Sequence, residues 1–181
     1  QNAVTQKTTA CFEPSLDYVV LKFPRWPFDK FVTADRTLGT QMKATGEVMA
    51  IERNLEAALL KAVRSLEIGL IHLEMPELKA LSDEEVRERI HLIDDQRLFV
   101  IAEAFRRGVT IDEVHDITKI DKWFLQKVMN IVEMENRIKT EPMTAELMLA
   151  AKKKGFADVT IAGYIGKTWQ EVREMRKGWG I

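Results

Sequence analysis

Cysteine is almost missing: Cys11 is the only one in 181 residues. One thiol cannot staple a chain to itself, so a disulfide-built secreted scaffold is excluded. Cys11 reads as a small apolar side chain rather than a nucleophile. Histidine is also sparse. His72, His91 and His115 lie far apart, with no HExxH or similar pair, so no metal site is expected from them. His115 stands beside Asp112, Glu113 and Asp116 and reads as a surface residue. Glycines are too scattered for a phosphate-cradling loop, and neither GxGxxG nor GxxxxGKS occurs. Neither sign of charge dominates. Lys and Arg number 27 against 28 Asp and Glu, a net charge of -1. That balance gives no case for nucleic acid or an acidic membrane surface, and it leaves little repulsion against self-association. No apolar run approaches the ~20 residues that cross a bilayer. Residues 1–10 are polar, unlike a signal peptide. A cytoplasmic setting is expected. The chain starts on Gln1 and stops on Gly178-Trp179-Gly180-Ile181, so both ends look cut.

What is present falls into two parts. Residues 17–23 are rich in β-branched and aromatic side chains and are followed by Pro24 and Pro27, which predicts a strand running into a turn. Residues 46–51 form a second short strand candidate. Asn54 is placed to cap a helix through Leu55, Ala58, Leu59, Ala62, Val63 and Leu66. Two strands and a helix cannot close a sheet, so this part reads as the end of a larger α/β domain. From residue 81 every segment reads as helix. Ser82 and Glu85 have capping-box spacing. Asp94 or Asp95 is expected to open the next helix, which Gly108 ends. Further helices are expected over Ile111–Thr118, from Asp121, from Thr144 to a stop at Gly155, over Asp158–Ile165, and from Thr168. The fold class is thus mainly α, with a small α/β remnant preceding an all-helical domain.

The helical part echoes itself at an offset of 47 residues. Arg106-Arg107-Gly108-Val109 answers to Lys153-Lys154-Gly155-Phe156. Val114 then falls on Ile161, Asp121 on Thr168, Leu125 on Val172 and Val128 on Met175. Each copy reads helix, glycine stop, short helix, tight turn, capped helix, which predicts two helix-turn-helix-like hairpins. A DNA-binding regulator is the alternative reading, with Gln170, Arg173, Arg176 and Lys177 on the second hairpin's last helix. Glu171 and Glu174 on the same helix, and the lack of net positive charge, argue for a solvated face instead.

Trp123, Phe124 and Trp169 stand out as large aromatics near helix starts. Phe124, Leu125 and Val128 are expected to face inward, with Trp123 at the edge of that stripe. A core position is preferred for Trp123 over an exposed anchor. Trp123, Met129, Met134 and Trp169 are the interface candidates, since large apolar side chains near helix faces supply contact patches. The helices over residues 98–105 and 121–137 are the candidate contact elements.

Several runs carry a family resemblance. They include Phe12-Glu13-Pro14-Ser15-Leu16-Asp17-Tyr18-Val19-Val20, Lys22-Phe23-Pro24-Arg25-Trp26 and Gln41-Met42-Lys43-Ala44-Thr45-Gly46-Glu47-Val48-Met49-Ala50-Ile51. Lys61-Ala62-Val63-Arg64-Ser65-Leu66-Glu67 and Ile120-Asp121-Lys122-Trp123-Phe124-Leu125 continue it. In order and spacing the chain resembles the large chain of carbamoyl phosphate synthetase. The resemblance implies a location: residues 1–70 as the end of the first ATP-grasp half, residues 75–181 as the helical oligomerisation domain. It implies that the full enzyme makes carbamoyl phosphate from bicarbonate, ammonia taken from glutamine, and two ATP, in arginine or pyrimidine biosynthesis. ATP and magnesium would be its cofactors, with none in this segment. The family's metal carboxylates and phosphate loop lie before residue 1, so no catalytic or metal residue carries over. Lys43, Glu47 and Arg53 match the pattern and are placed near the ATP site by resemblance. The partners implied are the remainder of the large chain, a glutaminase small subunit or domain, and a second copy in a homo-oligomer, with no nucleic acid and no membrane. The sequence departs from the family at Glu52, Asn54 and Ala57, where the pattern has Gly, Thr and Glu.

Overall fold

The computed structural model describes residues 1–9 and 17–181. Cys11 and the first residues of the Phe12 run lie outside the described residues. Strand β1 (Val19–Arg25) pairs antiparallel with β2 (Gly46–Glu52), from Val19 opposite Glu52 to Arg25 opposite Gly46. Alternation along both strands turns Leu21, Phe23, Val48 and Ala50 inward and leaves Val20, Met49 and Ile51 exposed. The strand continues through Pro24, where the sequence predicts a turn. In a two-stranded ribbon alternate N–H groups point outward, so proline's missing donor costs no ladder bond. Helix α1 (Leu55–Ser65) packs on both strands. Its expected cap is present: Asn54 Oδ1 accepts the Ala57 N–H at 2.9 Å.

A four-residue helix, α2 (Pro76–Lys79), opens on Pro76, whose fixed φ suits a first helical position. Helix α3 (Asp83–Arg89) carries the expected Ser82–Glu85 capping box. Helix α4 (Arg97–Arg106) starts after Gln96, without a side-chain cap from either aspartate. Asp94 accepts from the Gln96 N–H, and Asp95 is held by Arg36 through two bonds of 2.9 and 2.6 Å. A partner 59 residues away has diverted the side chain that local spacing assigned to the cap.

The remaining helices are α5 (Ile111–Thr118), α6 (Lys122–Thr140), α7 (Ala145–Lys153), α8 (Asp158–Ile165) and α9 (Trp169–Gly178). The 47-residue echo is realised in backbone geometry. Gly108 and Gly155 both have left-handed φ, +83° and +86°. The Val109 N–H donates to Ala104 O, and the Phe156 N–H to Ala151 O. Lys119 and Gly166 end α5 and α8 in the same left-handed conformation. Val114 and Ile161, and Leu125 and Val172, are buried counterparts. Helix α6 is the hub, touching α1, α4, α5, α7 and α8. One hydrophobic cluster runs from Leu60 and Val63 of α1 through Ile131 and Ile138 of α6 to Met148, Phe156 and Ile161.

Candidate assembly surface

Helix α6 keeps a stripe of Leu125, Val128, Ile131, Val132 and Ile138 inward, and Glu135 falls on that same stripe. A carboxylate there is only 2 % exposed and must be paired. Arg106 straddles it, with Nε 3.1 and 3.0 Å from its two oxygens and Nη2 at 2.9 Å. The same guanidinium donates to Leu73 O at 2.7 Å and to Glu103 at 3.2 Å. Lys139, one turn along α6, also bonds Glu135. Its ammonium lies 4.4 Å from the Tyr164 ring centre, and the Tyr164 hydroxyl donates to Glu74 at 3.0 Å. Nε2 of His72 stands 3.5 Å from Glu135, and neither ring nitrogen has a hydrogen-bond partner among the described residues. Burial alone would raise the Glu135 pKa. Contacts from His72, Arg106 and Lys139 overcome it and hold the carboxylate well below its usual range. Burial pushes His72 down, keeping it neutral near pH 7. Burial and the nearby carboxylates push Tyr164 up. With its main groups committed to one another, the cluster acts as a polar rivet joining the 72–74 segment, α4, α6 and α8. Sequence reasoning passed over it, although an acid at the stripe position of Glu135 was the available signal.

A second buried acid fixes α1 to the helical part. Asn130 of α6 donates to Glu56 at 2.7 Å, with Lys154 and Lys127 at 3.6 and 3.8 Å. Asn54, besides capping α1, donates to Lys153 O at 2.9 Å, and Arg64 donates to Gly155 O at 3.0 Å. A Cβ on Gly155 would lie 2.7 Å from Ala57 Cα. The departures at Asn54 and Ala57 thus sit at the contact with the end of α7. Asn54 has the reach for two partners, and Ala57 is small enough for the glycine turn. Glu52 pairs with Lys61 at 2.9 Å.

The residues placed near an ATP site are engaged separately. Lys43 pins a loop, donating to Asp35 O, Asp35 Oδ2 and Thr37 O at 2.9, 3.0 and 2.6 Å. Glu47 pairs with Lys22 across the ribbon at 2.6 Å. Arg53 is exposed between β2 and α1.

The interface candidates divide. Trp123 is 54 % and Trp169 49 % exposed, Met129 is half-buried, and Met134, at 4 %, belongs to the core. Met134 shares the buried side of α6 with Ile131, Glu135 and Ile138, so a partner would not reach it. Helix α4 supplies no contact face either, since Phe99 through Phe105 are all buried. Phe124 is 53 % exposed, not inward. It shares Val128's side by spacing, but burial on α6 begins only at Leu125. The expected core position of Trp123 fails for the same reason. Its ring meets Phe124 edge to face, centroids 5.0 Å apart, with Lys127 5.0 Å from the indole centre. His115 is half-buried, its Nδ1 2.7 Å from Ile120 O, rather than a free surface residue. On α9, Arg176 is tied to Asp158 at 2.8 Å and to Ile181 O. Arg173 and Lys177 both lie near Glu174. Arg176 is thus taken up within the domain, while Arg173 and Lys177 stay exposed with the Glu174 carboxylate beside them.

Among the described residues no cluster of His, Cys, Asp and Glu is arranged to hold a metal ion, and no helix is long and apolar enough to cross a membrane. The geometry defines a repeat-built helical module, with a β-ribbon mounted on it through α1 and an aromatic pair on its surface. The family model for the carbamoyl-phosphate synthetase large chain, oligomerisation domain, matches residues 47–180, and the chain belongs to that family. It is 57% identical over 176 residues to the carbamoyl phosphate synthase large chain of Lachnoclostridium phytofermentans. The match covers 97% of this chain and 16% of that relative, so the chain spans about a sixth of the relative's length.

Proposed function

We propose that this chain is the assembly segment of a carbamoyl phosphate synthetase large chain, with residues 1–70 closing the first ATP-grasp half and residues 75–181 forming the oligomerisation domain. In the whole enzyme, a ligase, bicarbonate, ammonia from glutamine and two ATP with magnesium yield carbamoyl phosphate. A glutaminase subunit or domain supplies the ammonia. The observation that carries the reading is the mounting of the ribbon. Asn54, Glu56, Ala57 and Arg64 lock α1 to α6 and α7, so the helical module holds the end of its α/β neighbour in a fixed place. Lys43, Glu47 and Arg53 fall on the neighbour's side of that joint, near its nucleotide site. Trp123, Met129 and Trp169 are the contact residues of the module. The chain alone is expected to turn over no ATP, since phosphoryl transfer needs metal carboxylates and phosphate donors in one place. Sedimentation over a concentration series tests the assembly role, with reversible self-association expected. A strict monomer up to about 100 µM, where pairing with a Kd near 1 µM is saturated, would sink it.

A further inference from the structure

The internal repeat supplies a control for the aromatic pair at the start of α6. Position for position, Trp123 and Phe124 correspond to Gln170 and Glu171 of α9. Both helices are capped by the preceding residue at the same offset, Asp121 and Thr168, and both bury the next stripe residue, Leu125 and Val172. The second hairpin thus forms with two polar side chains at these positions, Glu171 closing a capping box with Thr168. The aromatic pair is not needed to build such a hairpin, and an exposed aromatic pair in rigid edge-to-face contact is a typical anchor for a partner.

The size of the patch decides between partners. An aromatic side chain presents about 150–250 Å² in full, so two at half exposure offer roughly 200 Å². A two-fold contact through them alone would bury roughly 400 Å², about a third of the ~1,200 Å² that a stable dimer needs. Around the pair the surface is charged, with Lys122 bound to Asp112 at 2.6 Å and Lys127 over the indole. A patch this small holds its partner only when tethering raises the partner's effective concentration to about the millimolar range. Such a tether exists where the segment is part of a chain some six times longer, as in the relative of which it matches 16%.

We propose that the Trp123–Phe124 edge is the seat of another domain of the same large chain, docked in cis, and not of a second copy. This rests on the assembly reading above and names the partner of one of its surfaces, leaving Trp169 for contacts between copies.

Hydroxyl-radical footprinting of the 181-residue chain and of the full-length large chain carrying it tests the proposal. In the short chain Trp123 and Phe124 should oxidise at solvent-exposed rates, unchanged between about 1 and about 100 µM, a range that would reveal pairing at micromolar Kd. In the full-length chain both should be protected several-fold at every concentration. The W123Q/F124E variant places α9's side chains on α6. It should leave the melting temperature of the short chain unchanged and lower that of the full-length chain. Protection that grows with concentration in the short chain, equal oxidation in both chains, or an equal loss of stability in both would each overturn the proposal. Sedimentation of the unaltered chains judges the assembly reading separately. A monomer there with cis protection intact would remove only that reading.

Discussion

Glu135 shows how much can rest on one charge. Arg106 and Lys139 neutralise it where water is excluded, and Arg106 spends its remaining donors on Leu73 O and Glu103. Glu135→Ala would strand a buried guanidinium, and a loss of about 3–5 kcal/mol is expected in urea unfolding. Removing both partners, as E135L/R106M, should cost clearly less, because no charge is left unpaired; an equal loss would show that packing, not charge, holds the rivet. His72 contributes to the acid side of the stability curve. Its folded pKa lies below the unfolded value of about 6.5, so the unfolded chain takes up its proton first. The stability it supports is complete above about pH 6.5 and is lost as pH falls through the lower folded value. Urea midpoints between about pH 5 and 7 should fall with acid in the natural chain and fall less in His72→Gln, where that ionisation is gone. A slope unchanged by the substitution would assign the sensitivity to other groups. Glu135, also depressed in the fold, keeps its contribution to well below the ordinary carboxylate range. None of this was legible from the sequence in full, since its residues run from His72 to Tyr164 and only the fold brings them together.

Among the elements, the caps and glycine stops were readable because their chemistry is local. Asn54, Ser82, Thr144 and Thr168 each accept the N–H three residues on, and the helices they start fall where spacing placed them. The misreadings have non-local causes. Asp95 was drawn off by Arg36, and the first turn of α6 runs ahead of anything that covers it. The repeat allows a paired measurement on its two glycine stops. Gly108→Ala meets open space and should cost only the left-handed backbone penalty, about 1–2 kcal/mol. Gly155→Ala carries the same penalty and also drives a Cβ to within 2.7 Å of Ala57 Cα, so it should cost distinctly more. Thermal melts of the two variants side by side check this, and equal shifts would mean that α1 yields freely at that contact.

For the whole molecule, the resemblance carried the family and the helical periodicity carried the class. The tightness of the joint between ribbon and helices was not readable, because Asn54 and Lys153 are 99 residues apart. Among the described residues the ribbon has two strands, with no strand paired on either outer edge. Hydrogen exchange should be fast over residues 17–23 and slow over 124–132, and the reverse order would show the ribbon to be a self-sufficient unit. The joint also has a mechanical meaning. Asn54 and Arg64 hand the ribbon directly to the carbonyls of Lys153 and Gly155. Force applied to the strands therefore bypasses the long covalent path through residues 66–96 and reaches the turn after α7 through these bonds and α6 through Glu56 and Asn130. A pull on the strands would therefore be shared between the two hairpins, and the glycine packed against Ala57 marks where the second of them takes its part.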